Sequence, residues 1–113
     1  MSCLFCDIAA GKRPAKLVWE NASLVAFRDV NPQAPVHILI IPRKHIDNLN
    51  DLTGDDSELM GQMILAAKEM AGKEGVAGDG YRLVLNCNRQ AGQSVFHIHL
   101  HLLGGRWMRW PPG

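Results

Sequence analysis

No apolar run in this chain of 113 residues reaches the roughly 18 that a membrane-spanning helix needs, so insertion into a bilayer is not expected. The first residues, MSCLFCDIAAGKRP, lack the basic stretch and long apolar segment of a secretory signal peptide, and a cytoplasmic location is the default expectation. Charge of one sign is equally scarce. The net charge is +1 and the lysines and arginines form no stripe, which leaves binding to a nucleic-acid polymer with little support and suits a small ligand better. Cysteine appears three times, as Cys3, Cys6 and Cys87, an odd number that argues against a disulfide framework. Repeats and low-complexity blocks are missing too. With 47% apolar and 20% charged residues, the chain reads as one globular domain over residues 1–113, able to bury about two-thirds of its surface.

Turn chemistry divides what is there. A short apolar stretch with Leu4, Phe5 and Ile8 has the length of a turn or two of helix before the break at Ala10–Pro14. Leu17–Glu20 and Leu24–Arg28 read as two short strands around Asn21-Ala22, and His37–Ile41 reads as a buried strand ended by Pro42. Thr53 is a candidate N-cap for one long helix, with Asp55, Asp56 and Glu58 near the positive end of its dipole. Leu59, Met60, Met63, Ile64, Ala67, Met70 and Ala71 recur at three- and four-residue spacing, which buries one face, and Gly72 and Gly75 end the helix. Tyr81–Asn86 and Val95–Leu103 read as further strands, and residues 104–113, with two glycines and two prolines, as an irregular tail. Strands with one main helix predict an α+β domain with an antiparallel sheet of about five strands.

The last of these strands, VFHIHLHLL, holds three of the five histidines at alternate positions. Side chains alternate across a strand, so His97, His99 and His101 share one face at a spacing of about 6.5–7 Å, while Ile98, Leu100 and Leu102 face the core. A solvated face usually draws Lys, Glu, Thr or Arg, so the imidazoles point to metal ligation or to nucleophilic and acid–base work. Three nitrogens on one ion must each lie about 2.1 Å from it, whereas a regular strand holds the outer two about 13 Å apart. The row therefore suits a site where one imidazole attacks while its neighbours position and donate protons. The preceding Gly92-Gln93-Ser94 would supply phosphate donors through Ser94 and the Ser94 and Val95 amides, or be only a turn. Asn86 would reach the same place from the neighbouring strand, or cap a turn.

These residues carry a resemblance. Gln93 through Leu103 resembles the HxHxHxx signature of the histidine-triad (HIT) nucleotide-binding family. Phe27-Arg28-Asp29, Pro32-Gln33-Ala34-Pro35-Val36-His37, Ile41-Pro42-Arg43-Lys44-His45-Ile46 and the ending Gly104-Gly105-Arg106 through Trp110-Pro111-Pro112-Gly113 are similar to the Hint branch of that family. The resemblance spans nearly the whole chain, from about Leu4 onward.

The resemblance implies a HIT-like fold and a hydrolase that splits the P–N bond of purine nucleoside 5′-phosphoramidates, and also hydrolyses acyl or aminoacyl adenylates, through a covalent nucleotidyl-histidine. It implies His99 as nucleophile, with His101 on the phosphate and His37 and His97 in the histidine cluster. Phosphate oxygens fall to Asn86, Gln93, Ser94 and Val95, and the ribose hydroxyls to Asp29. Leu4, Phe5, Ile8, Phe27 and Leu39 form the purine slot or, without the resemblance, ordinary core. No cofactor is required for catalysis. The family likeness further implies a homodimer whose sheet continues across the interface, with the tail near the partner. Trp107 and Trp110 fit that reading, and Trp107 and Arg109 bear on substrate choice.

Cys3 and Cys6 form a CxxC pair, which with His45 and His97 resembles the structural zinc set of some members of the superfamily. The alternative is two small buried residues beside the nucleotide slot. Two other functional readings stay open: a zinc-stabilised nucleotide-binding interaction module with little turnover, and a dinucleoside polyphosphate hydrolase.

Overall fold

The computed structural model describes residues 3–113. Its centre is an antiparallel five-stranded sheet made of β1 (Leu17–Glu20), β2 (Leu24–Arg28), β3 (Val36–Pro42), β4 (Tyr81–Val84) and β5 (Leu100–Gly104). The strand order is β1-β2-β3-β5-β4, which puts β3 in the middle and leaves β4 on an edge. A short helix, α1 (Leu4–Ala9), covers one face, and the long helix α2 (Ser57–Lys73) covers the other.

Alternation decides which side chain meets which helix. Leu24, Ala26, Ile38, Ile40, Leu100 and Leu102 pack with Met63, Ala67, Met70 and Ala71 of α2 in the larger core. Their neighbours Val25, Phe27, Leu39 and Ile41 point the other way and enclose Phe5 of α1. Each Leu or Ile so buried contributes about 1.5–3 kcal/mol, so the larger core carries most of the stability. The smaller cluster lies on the α1 face of the sheet, which also carries His37 and His101.

The local signals mostly match, with instructive differences. Asn21 closes the first hairpin by accepting the Ser23 and Leu24 N–H groups at 2.9 and 2.8 Å. Thr53 does cap, but it caps a 3₁₀ turn, Gly54–Asp56, that leads into α2 at Ser57. Asp56 explains the extra turn: its carboxylate accepts the Thr53 N–H at 3.0 Å and a Lys44 Nζ bond at 2.7 Å. Gly72 lies within α2, and the reversal occurs at Gly75, where φ is +76°. Ile64 is 50% exposed and falls outside the buried stripe, which runs through Met63, Ala66, Ala67, Met70 and Ala71. The tail expected from residue 104 begins one residue later, since Gly104 still pairs with Val36 and Tyr81.

Glycine at 104 is a packing requirement. A β-carbon there would lie 2.9 Å from the Val76 Cβ and 3.0 Å from both its methyls. Gly104→Ala is expected to cost about 1–3 kcal/mol, read as a lower urea midpoint at unchanged slope. An unshifted midpoint would show that Val76 yields freely.

Candidate active site and metal centre

The strand expected from Val95 begins only at Leu100. The backbone before it is bonded elsewhere: the Val95 carbonyl accepts from Gln93 Nε2 at 3.1 Å, and the Ile98 N–H donates to the Ile46 carbonyl at 2.8 Å. Burial parity survives this departure, with Ile98, Leu100 and Leu102 in the larger core. The three imidazoles nevertheless do not share one pocket. His97 turns back towards Cys3 and Cys6, and His37 takes its place beside His101. The strand expected over Tyr81–Asn86 also ends early, at Val84, so Asn86 projects from the loop beyond β4.

Register brings His37 and His101 together. Leu39 lies opposite His101 and His37 opposite Leu103, so His37 and His101 are diagonal neighbours on adjacent strands. His37 Nε2 lies 2.9 Å from His101 Nδ1 and 3.3 Å from Asp29 Oδ2. His99 and His101 have ring centroids 5.0 Å apart, and Phe5 meets the His99 ring edge-on at 5.0 Å.

Hydrogen bonding assigns each ring's proton. The carbonyl of His97 can only accept, so His99 donates to it from Nδ1 at 2.8 Å and carries its lone pair on Nε2. The Gln33 backbone N–H donates to His37 Nδ1 at 3.0 Å, so the proton of neutral His37 sits on Nε2. That proton faces His101 Nδ1, which accepts it, and His101 presents N–H from Nε2. Asp29, His37 and His101 lie close enough together to suggest a second metal site. The His37 tautomer argues against one, because its nearer nitrogen is protonated.

Burial, followed by the neighbouring His99 and His37, pulls the His101 ring down to about 4, and burial also lowers His37 against the pull of Asp29. Both rings are therefore neutral near pH 7. The other expected residues divide. Phe5, Phe27 and Leu39 meet in the smaller cluster with Ile8 packed against it, while Leu4, 39% exposed, lies outside. Ser94 is exposed at the loop before the histidines, with Val95 half-buried behind it. Gln93 is buried and its side chain is committed internally. Its Oε1 accepts the Asn88 N–H at 2.8 Å, and its Nε2 donates to the carbonyls of Asp47 and Val95 at 2.7 and 3.1 Å. It braces the loop. Asp29 Oδ1 accepts the Asn31 N–H at 2.8 Å.

The second cluster unites Cys3, Cys6, His45 and His97, whose donor atoms lie within 4.8 Å of one another. Cys3 and Cys6 sulfurs are each 3.4 Å from His97 Nδ1, and Cys6 Sγ is 3.2 Å from His45 Nδ1. A tetrahedral zinc with bonds of about 2.1 Å to nitrogen and 2.3 Å to sulfur needs donor separations of about 3.4–3.8 Å, so the two 3.4 Å contacts suit an ion as they stand and the 3.2 Å contact would open slightly around it. The second layer fits as well. His97 donates from Nε2 to the Pro42 carbonyl at 2.7 Å, and His45 donates from Nε2 to the Asp47 carboxylate. Both rings thus aim bare Nδ1 lone pairs at the thiols, the arrangement that orients metal-bound histidine. Burial, then the hydrogen bond with Cys3, pushes the Cys6 thiol up to about 11, so a thiophilic cation must displace its proton on binding. Asp47 and Pro42 were not singled out from the sequence. Asp47, two residues after His45, was the more legible of the two.

The HIT domain family model matches residues 10–108, and the chain belongs to the HIT family. It is 48% identical over 103 residues to the purine nucleoside phosphoramidase of Escherichia coli K12, covering 91% of this chain and 87% of that one. A HIT family hydrolase from Legionella pneumophila Philadelphia 1 superposes with a TM-score of 0.98 at 57% identity, over 99% of this chain and 100% of that one. A zinc-bound histidine triad family protein from Mycobacterium smegmatis aligns with a TM-score of 0.80 at 31% identity, over 94% and 76%.

The histidine shifts predict a pH dependence. An unfolded histidine titrates near 6.5, well above the lowered folded value of His101, so the unfolded chain binds more protons between these values. Stability is full above about 6.5 and is lost as pH falls towards 4. The urea midpoint should drop between pH 7 and pH 5, and His101→Gln should shrink that drop. Equal drops in both proteins would contradict the assignment.

Proposed function

We propose that this protein is a nucleotide-binding hydrolase that cleaves the P–N bond of purine nucleoside 5′-phosphoramidates, and the P–O bond of acyl or aminoacyl adenylates, through a covalent nucleotidyl-histidine. The observation that carries the reading is the Nδ1–H bond from His99 to the His97 carbonyl, which leaves an attacking lone pair on Nε2 next to His101. The named activity of the Escherichia coli relative supports the substrate class.

His99 Nε2 attacks the α-phosphorus. Negative charge on the bound phosphate favours a protonated His101, whose Nε2–H passes to the leaving amine as the P–N bond breaks. His37 then turns its own Nε2–H fully to Asp29, 3.3 Å away, because His101 Nδ1 now carries hydrogen. The freed His101 Nε2 lone pair takes a proton from the incoming water. The water oxygen bonds to phosphorus, the bond to His99 breaks, and nucleoside monophosphate leaves. Ser94, Asn86 and the Val95 amide hold the phosphate oxygens, and Asp29 accepts from the ribose hydroxyls. Phe5, Ile8, Phe27 and Leu39 line the purine slot, with Leu4 at its edge. Zinc held by Cys3, Cys6, His45 and His97 would supply a structural crosslink, and no chemical step passes through it.

The working unit is a homodimer of this single domain, cytoplasmic, with β4 edges paired. An unpartnered edge strand invites pairing, and Trp107 and Trp110 stand 93% and 82% exposed in a tail tied to β4 by the Arg82 bond to the Arg109 carbonyl at 3.1 Å.

The test is acid-quenched intact mass spectrometry with adenosine 5′-phosphoramidate. A nucleotidyl adduct mapping to His99 is expected. His99→Ala should lower turnover by at least about 10³-fold, as the loss of a nucleophile does, while AMP binding persists. Unchanged cleavage by His99→Ala would eliminate the reading and leave a binding module or a different chemistry.

A further inference from the structure

Three segments that build the active site also meet at the Cys3–Cys6–His45–His97 cluster. The first is α1 with its N-cap, which together carry Cys3, Cys6 and Phe5. Its far end is pinned by Arg43, which donates to the Ala9 carbonyl at 2.7 Å, and Phe5 between these anchors lies edge-on against the His99 ring. The second is His45–Asp47. Asp47 accepts from His45, and its carbonyl accepts from Gln93 Nε2 at 2.7 Å, the same amide that holds the Val95 carbonyl ahead of the histidines. The third is His97, whose carbonyl fixes the His99 tautomer at 2.8 Å while its Nδ1 faces both thiols. Every connection runs through one or two hydrogen bonds or a ring contact.

We propose that zinc in this cluster positions the nucleophile: by fixing His97, Phe5 and the Gln93 brace together, it holds His99 in its single Nδ1–H tautomer and aligns the Ser94–Val95 loop. Cys3, Cys6, His45 and His97 are positioning residues. This rests on His99 being the attacking group. Without the ion, two thiols and two bare imidazole nitrogens must satisfy one another through weak S–H bonds, and the three segments lose their common anchor. The His97 ring then keeps only its Nε2–H bond to the Pro42 carbonyl, which leaves the His97 carbonyl, and with it the His99 proton, less firmly fixed. A purely structural crosslink would change melting temperature and leave the His99 tautomer alone.

The experiment titrates zinc chloride into chelator-stripped protein labelled with ¹⁵N-histidine, in the natural sequence and in Asp47→Ala. The variant keeps all four ligands and weakens zinc binding by about 10–100-fold, so partial occupancy is reached in a folded protein. Long-range ¹H–¹⁵N spectra report the His99 tautomer, circular dichroism reports folding, and single-turnover adduct formation reports function. The expected result is a His99 pattern that sharpens to Nδ1–H in step with zinc, saturating at one ion per chain. Over the same titration the adduct-forming rate should rise about 10-fold or more. A His99 pattern or adduct rate that stays flat across the titration of folded protein overturns the proposal, as does failure to bind zinc. A tautomer that follows zinc in a protein that never forms an adduct would leave the coupling standing and sink the hydrolase reading alone.

Discussion

One hydrogen bond fixes the imidazole on which the proposed reaction depends: Nδ1–H of His99 to the carbonyl of His97. A neutral imidazole has one proton and one lone pair, and nothing in the ring itself decides which nitrogen carries which. A backbone carbonyl can only accept, so the choice is made by the fold. The lone pair is left on the nitrogen remote from the backbone, where a phosphorus can approach. The same logic runs through the other rings. The Gln33 amide forces the His37 proton onto Nε2, and the Pro42 carbonyl and Asp47 carboxylate bare the Nδ1 atoms of His97 and His45.

The sheet makes that bond possible by dividing labour between its faces. The α2 face buries aliphatic side chains and supplies stability, while the α1 face can then afford five imidazoles, two thiols and a carboxylate. Burying neutral histidines costs little while they stay neutral, and desolvation keeps His37, His97 and His101 so. The Cys3–Cys6–His45–His97 cluster and the His37–His99–His101 cluster share the chain at His97. Its side chain belongs to one and its carbonyl to the other.

Much of this was legible from residues alone. The β1 and β2 limits follow from two short apolar runs on either side of the Asn21 turn, and the apolar parity of Ile98, Leu100 and Leu102 held. The irregular run before β5 was hidden, because strand alternation in VFHIHLHLL is the same whether the backbone pairs or not. What breaks the pairing is remote: Gln93 captures the Val95 carbonyl, and Ile46 captures the Ile98 N–H. Tautomers were equally invisible, since they depend on backbone groups, the Gln33 N–H and the Pro42 carbonyl, that say little about residue type: any residue but proline offers the first and every residue the second. Gln93 shows the limit of reading residue types. Its amide suits a phosphate, yet the fold spends it on three internal bonds.

The proposed reaction depends on which nitrogen of His99 bonds phosphorus. Trapping the nucleotidyl-enzyme and determining the phosphorus linkage by ³¹P and ¹⁵N NMR of the isolated peptide addresses it directly. Attachment at Nε2 is the predicted result. Attachment at Nδ1 would mean that the bond to the His97 carbonyl is broken in the reacting protein, and the account built on it would fail.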